Sequence, residues 1–320
     1  IISFFEGKAM SSLKRLWVEK YRPQTLEEVI YQNAAQKEAF LRYKAEKEFP
    51  HLLLSGVQGS GKTTISRAII KDCEVDSIDV LKVNASKETG VDAMRDKISN
   101  FVACMPVGKF KVVRLEEADM LSMQAQGLLR AVIEDFSDTA RFIMTCNYEN
   151  KIIPSIRSRF SSGHYRFSSP AFEDVLMRLG EILLGENIDF DPDDLEKVIQ
   201  IYYPDIRSMI GYLEANSKTG KLIIAKSTGK ENSDYKFTVR ELVEARKFGE
   251  LRQFMRTGVA KEDYEEVFRL IYDGVKKAYK NDPSKMEESL ITLNDFVFKH
   301  GVVALPELNM EALIISLGRI

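Results

Sequence analysis

Gly56, Gly61, Lys62 and Thr63 stand at the spacing G-x-x-x-x-G-K-[ST], a pattern suited to holding a polyphosphate. The glycines allow backbone conformations that a Cβ blocks, so successive N–H groups can close on an anion. A helix starting there aims the positive end of its dipole at the same point. Lys62 adds a full charge beside the β- and γ-phosphates, and the Thr63 hydroxyl is a hard donor for Mg²⁺. Downstream, Glu116 and Glu117 end an apolar run. One carboxylate can hold Mg²⁺ through water, and the next can polarise an attacking water. Adjacent glutamates alone are usually a solvated turn; the phosphate loop upstream gives these two a metal and an anion to act on. Asn147 offers an amide to a γ-phosphate or a water, or caps a turn.

These groups need a scaffold, and the chain supplies one. An apolar strand at residues 52–54 leads into the loop, and Ile65, Ala68 and Ile69 follow at helical spacing. Further strands are expected at residues 78–83, 111–115, 141–145 and 164–167, with a helix at 33–47 and a helical turn at 153–160. Thr89 reads as an N-cap with Asp92 in the capping-box position. Val91, Met94, Ile98 and Phe101 then form a core face, with Lys87, Arg95 and Lys97 away from it. Strands alternating with helices predict a doubly wound, mostly parallel sheet whose ligands sit at the carboxyl ends of the strands. From Ser169, a capping serine, and Pro170, an N1 proline, the pattern turns helical. Three helices are expected over 170–217, including a start at 203–207 that presents Arg207. A short extended piece at 222–225 and a polar linker at 227–234 precede a helical segment over 237–320, with a core face at Val267, Leu270, Ile271, Leu290, Leu293, Phe296 and Val297.

Composition narrows the class. At 320 residues, 44% hydrophobic and 29% charged, the chain has room for two or three globular domains. No apolar run nears the roughly 20 residues of a membrane span. Three scattered cysteines, Cys73, Cys104 and Cys146, suit a reducing compartment, and three scattered histidines suggest no metal site. With a net charge of −2, nucleic-acid binding requires a local basic track. Residues 1–9 precede Met10, and their apolar stretch is too short for a signal peptide. Near the start, Trp17, Val18 and Tyr21 with the planar cation Arg22 suit either an adenine ring or an arm packed on the core; Pro23 ends the local helix.

With these residues in hand, the chain resembles AAA+ ATPases of the sliding-clamp-loader family, near replication factor C small subunits and phage clamp-loader large subunits. The likeness is strongest at residues 17–23, 56–64, 83–95 and 158–159. It implies an α/β P-loop NTPase fold with a five-stranded parallel sheet in the order 5-1-4-3-2, then a small helical lid and an all-α collar. The implied divisions are an extension at 1–12, a nucleotide-binding domain at 13–168, the lid and linker at 169–234 and the collar at 235–320.

Carried over by motif, Gly56, Gln58, Gly59, Ser60, Gly61, Lys62, Thr63 and Thr64 hold ATP, and Tyr21, Arg22 and Pro23 flank the adenine. Thr63 and Glu116 bind Mg²⁺, and Glu117 is the catalytic base. Asn147 senses the γ-phosphate, and Arg207 reaches it from the lid. Arg159 serves a neighbouring subunit's ATP in trans. Gln126 and Arg130 couple DNA contact to the acid pair. Ser86, Lys87, Arg95 and Lys97 are candidate contacts to DNA phosphates; Phe101, Met105, Pro106 and Val107 are candidates for the clamp.

The implied partners are sister subunits, in a pentamer, a ring-shaped clamp and primer–template DNA, with no membrane. The implied location is the cytoplasm, a host's cytoplasm for a phage protein or the nucleus for a eukaryotic one. The family usually has Asp where Glu116 stands, and a cysteine where Phe160 stands. Two alternatives remain open at this point: a nucleotide-binding structural subunit that does not hydrolyse, and a AAA+ branch-migration helicase or initiator.

Overall fold

The computed structural model describes residues 16–87, 90–224 and 235–320. The expected cap at Thr89, the side chain of Asp92, the linker at 227–234 and the extension at 1–12 lie outside the described residues. The chain divides into two compact units, Ile1–Leu222 and Ile223–Ile320.

The first unit is built on five parallel strands: β1 (Leu52–Gly56), β2 (Val80–Asn84), β3 (Lys111–Glu116), β4 (Ala140–Cys146) and β5 (His164–Phe167). Their order is β2-β3-β4-β1-β5, the expected one read from the other edge. Helices α1 (Trp17–Lys20), α2 (Ala34–Glu46), α3 (Lys62–Asp72), α4 (Val91–Ala103), α5 (Met123–Asp135) and α6 (Pro154–Arg157) belong to this part, and α7 (Phe172–Gly185), α8 (Pro192–Tyr202) and α9 (Ile206–Asn216) follow.

Successive strand side chains point to opposite faces, and each face has its own core. Leu53, Val83, Val113, Leu115, Phe142 and Met144 join residues of α4 and α5 in one cluster. Leu52, Leu54, Val112 and Ile143 join α2 and α3 in the other. Burial on both faces explains why the inner strands read as nearly unbroken apolar runs. Arg114, in the middle of β3, interrupts that run.

Helix α7 begins two residues later than expected. Its N-cap is Ala171, with no side-chain cap, and Ser169 and Pro170 lie ahead of the helix. The Pro170 carbonyl accepts the Tyr203 hydroxyl proton, which ties the entry of α7 to the turn before α9.

The second unit holds α10 (Tyr235–Glu244), α11 (Phe248–Gly258), α12 (Tyr264–Ala278), α13 (Pro283–His300) and α14 (Pro306–Leu317) around one apolar cluster. Val267, Leu270, Ile271 and Leu293 are buried in it as expected, with Leu290 and Phe296 packed on its margin. Val297 is a correction. It is 45% exposed: it continues the stripe of Leu290 and Leu293 at helical spacing, but at the margin, where that stripe lines an open groove with Tyr272 and Asn294.

Candidate functional site

The stretch after β1 makes the turn its glycines imply. Gly56 has φ +145°, and a Cβ there would sit 1.9 Å from the Phe167 carbonyl oxygen of β5. Gly59 has φ +76°, and its Cβ would meet the Asp205 carboxylate at 2.0 Å. Only glycine fits either place. Asp205 caps α9 through Ser208 N at 3.1 Å and Ser208 Oγ at 2.9 Å. The helix bearing Arg207 is thereby seated directly on the loop.

Lys62 opens α3 and is buried. Its ammonium donates to the carbonyls of Gly56 at 2.8 Å and Val57 at 2.6 Å. Burial pushes its pKa down to about 8, opposed by the Asp119 carboxylate. Burial likewise pushes the Cys146 thiol up to about 12.

The two acids at the end of β3 part company. Glu116 is buried; its Oε2 lies 3.0 Å from Lys82 Nζ, and its Oε1 lies 3.4 Å from Arg114 Nη2. That second approach is ion-pair distance without hydrogen-bond geometry, so Oε1 remains a buried acceptor lacking a hydrogen bond. Glu117 is exposed and left-handed, at φ +58°, a conformation that costs a non-glycine residue about 1 kcal/mol or more. Its Oε1 accepts from Asn84 Nδ2 at 3.4 Å, while Asn84 Oδ1 accepts from Ser86 N at 2.9 Å and Ser86 Oγ at 2.7 Å. One amide therefore bridges the turn after β2 and the exposed acid.

A cavity of about 320 Å³ collects these groups, within the range of small-molecule sites. It is lined by residues 58–64, by Glu116, Glu117 and Asn147, by Tyr21, Arg22 and Pro23, and by Arg207. Its apolar wall comes from Val18, Val29, Ile30, Ile206 and Ile210. Gly56 ends β1 beneath it. Arg22 has its pKa lowered by burial first and then by the positive charge of Arg67. A positive site of this kind is relieved by an anion. The donors fit a hard cation as well, since the Thr63 hydroxyl and the unbonded Glu116 Oε1 are both oxygen ligands. Among the described residues, no group of three or more His, Cys, Asp or Glu side chains is arranged to hold a metal.

Other expected residues lie elsewhere. Trp17 is buried away from the cavity lining, and its backbone N–H donates to Glu214 of α9 at 3.0 Å. It takes the packing role, while Val18 and Tyr21 keep the cavity wall. Arg159 does not line its own chain's cavity. Its guanidinium donates to the Ser155 carbonyl and to Glu134 Oε2, each at 2.6 Å, with a quarter of the side chain exposed. Gln126 is buried, donating to the Leu121 and Lys151 carbonyls and accepting from Ile153 N. It clips α5 to the loop after β4, whereas Arg130 is exposed. Ser86, Lys87, Arg95 and Lys97 are exposed. Phe101 packs against the core, as the sequence favours, and Met105 and Val107 are exposed.

Four contributors escaped sequence reasoning: Asn84, Asp205, Arg178 and Asp119. Arg178 lines the cavity and donates to the Tyr21 carbonyl at 3.3 Å. Asp119 Oδ2 accepts from Tyr148 N at 3.2 Å, joining the turns after β3 and β4. Asn84, at a strand's carboxyl end, and Asp205, in a helix start, carried a local signal.

Residues 52–166 match the ATPase family associated with various cellular activities (AAA). The replication factor C small subunit of Methanococcus maripaludis is 36% identical over 249 residues, covering 75% of this chain and 78% of that protein. The chain belongs to the replication factor C small subunit family. The Sulfolobus acidocaldarius replication factor C small subunit is 38% identical over 213 residues; that match spans 65% of this chain and 65% of the relative's length, just under two thirds. Among solved structures, the Thermotoga maritima RuvB Holliday junction branch migration motor aligns with a TM-score of 0.54 at 15% identity, over 80% of this chain and 90% of that one. At that identity the likeness is one of fold and does not favour branch migration here. An AAA ATPase domain binds nucleotide, and the cavity of this family member is lined by that domain, by the segment that precedes it and by the helices that follow it.

Proposed function

We propose that this chain is an ATP-hydrolysing subunit of a complex that opens a ring-shaped sliding clamp and sets it on primer–template DNA. One observation carries the reading: a single cavity is lined by the phosphate loop, both β3 acids, Asn147 and Arg207, in a replication factor C small subunit relative. The triphosphate lies over residues 58–64, and the base lies toward Val18 and Tyr21. Thr63 and Glu116 would hold Mg²⁺, which neutralises phosphate charge. Glu117 takes the proton of the attacking water, and Asn147 orients that water. Lys62 and Arg207 bear on the charge that develops in the transition state. Arg159, outside its own cavity, completes the site of a neighbour, so turnover reports assembly. Helices α7–α9 act as a lid. The exposed apolar side chains Ile291 and Phe298 of α13 suit a collar contact between subunits in a pentamer.

DNA is met through phosphates at Ser86, Lys87, Arg95 and Lys97, because a loader acts at any sequence. The Asn84 bridge then links that turn to Glu117, while Gln126 and Arg130 link α5 to the same end of the sheet. Met105 and Val107 are offered to the clamp. No helix among the described residues is long and apolar enough to cross a membrane; we place the activity in the compartment that holds the DNA. The Lys82–Glu116 pair favours a second reading, a subunit that binds nucleotide and hydrolyses it poorly.

The test is phosphate release by this chain mixed with sister subunits, clamp and primed DNA. Glu117→Gln should cut release by about 10²-fold or more while ATP stays bound. A Glu117→Gln protein as active as the parent would sink the motor reading.

A further inference from the structure

Two cations borne on β2 and β3 stand beside Glu116. Arg114 and Glu116 are two residues apart on β3, so they share a face of the sheet. Lys82 is the register partner of Arg114 on β2, which brings it to that face too. The three form a strip along the two strands that ends at the cavity. Arg114 is buried, and its Nε has no hydrogen-bond partner. Nothing else in the inner strands demands a guanidinium there, since the neighbouring side chains on that face, Val112 and Ile143, are apolar core. A buried charge persists only when it is compensated, and Glu116 is the anion at hand. The same carboxylate is the donor a phosphate-bound divalent cation would use.

We infer that Arg114 and Lys82 are positioning residues that serve as built-in counter-ions to Glu116, competing with divalent cation for its carboxylate. This rests on the nucleotide-binding reading above and deepens it. The charge that Mg²⁺ would neutralise at Glu116 is already met by the protein. Nucleotide binding to this chain therefore leans less on Mg²⁺ than a site with an unpaired acid would, because the metal competes with the Lys82 ammonium and the Arg114 guanidinium for the carboxylate's charge.

The experiment measures binding of a fluorescent mant-ATP probe to the full chain, first in EDTA and then across a MgCl2 titration. The readout is the Mg²⁺ concentration at which binding is half-tightened. Arg114→Leu and Lys82→Gln should each lower that midpoint by about tenfold, an ordinary scale for coupled sites, and the gain should vanish when Glu116→Gln is added. A merely structural role would change affinity in EDTA and in Mg²⁺ together and leave the midpoint in place. Lys82 is half-exposed on the edge strand, so Lys82→Gln carries the test if Arg114→Leu does not fold. Folded variants that bind the probe with an unmoved midpoint overturn the inference alone. Failure of the unmodified chain to bind mant-ATP in either condition overturns the nucleotide-binding reading, and this inference with it.

Discussion

The two units handle charge in opposite ways. In the first, ionised groups are buried: Lys62, Asp79, Lys111, Arg114, Glu116 and Asp119 are all withdrawn from solvent. In the second, ion pairs sit at the surface, as where Arg252 and Arg256 converge on Glu311 at 3.1 and 2.8 Å. It also exposes large apolar side chains, Phe298 and Val302, each 78% exposed. Buried charge is costly and is kept where chemistry or anion binding needs it, whereas solvated pairs contribute little. The contrast agrees with the proposal that chemistry belongs to the first unit and association to the second.

The contrast can be broken at its strongest point. Arg159→Ala should lower turnover of the assembled complex by about 10³-fold, the scale of an arginine supplied in trans, while equilibrium ATP binding stays within about twofold. A comparable loss of binding would put Arg159 in its own chain's site. Next in size is Gly56→Ala, whose Cβ would sit 1.9 Å from a backbone oxygen. It should cost about 3 kcal/mol or more in urea unfolding, and a wild-type midpoint would contradict the close approach of β1 and β5.

The buried ammonium sharpens the contrast through pH. Lys62 titrates near 8 in the free protein because burial disfavours its charge. Phosphate prefers the charged form, so ATP affinity should be flat below that pH and fall about tenfold per unit above it. The stability effect has the other sign. The unfolded chain holds this proton up to about 10.5, so between about 8 and 10.5 the lysine's contribution to stability rises with pH. ATP titrations and urea midpoints at pH 7, 8 and 9 would check both. The smallest effect belongs to the second unit: Glu311→Ala should leave the unfolding midpoint within error, since the pair it breaks is solvated.

What the sequence revealed divides along physical lines. The phosphate loop, the five strands and the strand-end Asn147 rest on local spacing, and local spacing is visible in one dimension. So is the helix start at Asp205, whose cap needs only the next three residues. Asn84 against Glu117, Asp205 against Gly59 and Lys82 against Arg114 join residues that the sheet register or the packing of α9 brings together, and no local period encodes them. Trp17 had two readings because an aromatic surface serves a ligand and a core equally well. Its neighbours Val18 and Tyr21 face the cavity only because the short α1 lies against α9. Val297 is exposed although its spacing puts it with Leu290 and Leu293, because helical spacing does not say how far along a stripe the cover extends.

Asp79 carries a last consequence. Its carboxylate accepts from the N–H groups of Val107 at 3.1 Å and Gly108 at 2.7 Å and pairs with buried Lys111 at 3.1 Å, and the Lys111 ammonium lies 4.5 Å from the centre of the Phe101 ring. The turn bearing Met105 and Val107 is thus pinned from beneath, a greasy knob on a rigid stem. A surface that receives it does not have to freeze a wandering loop, so that ordering penalty was met when the chain folded.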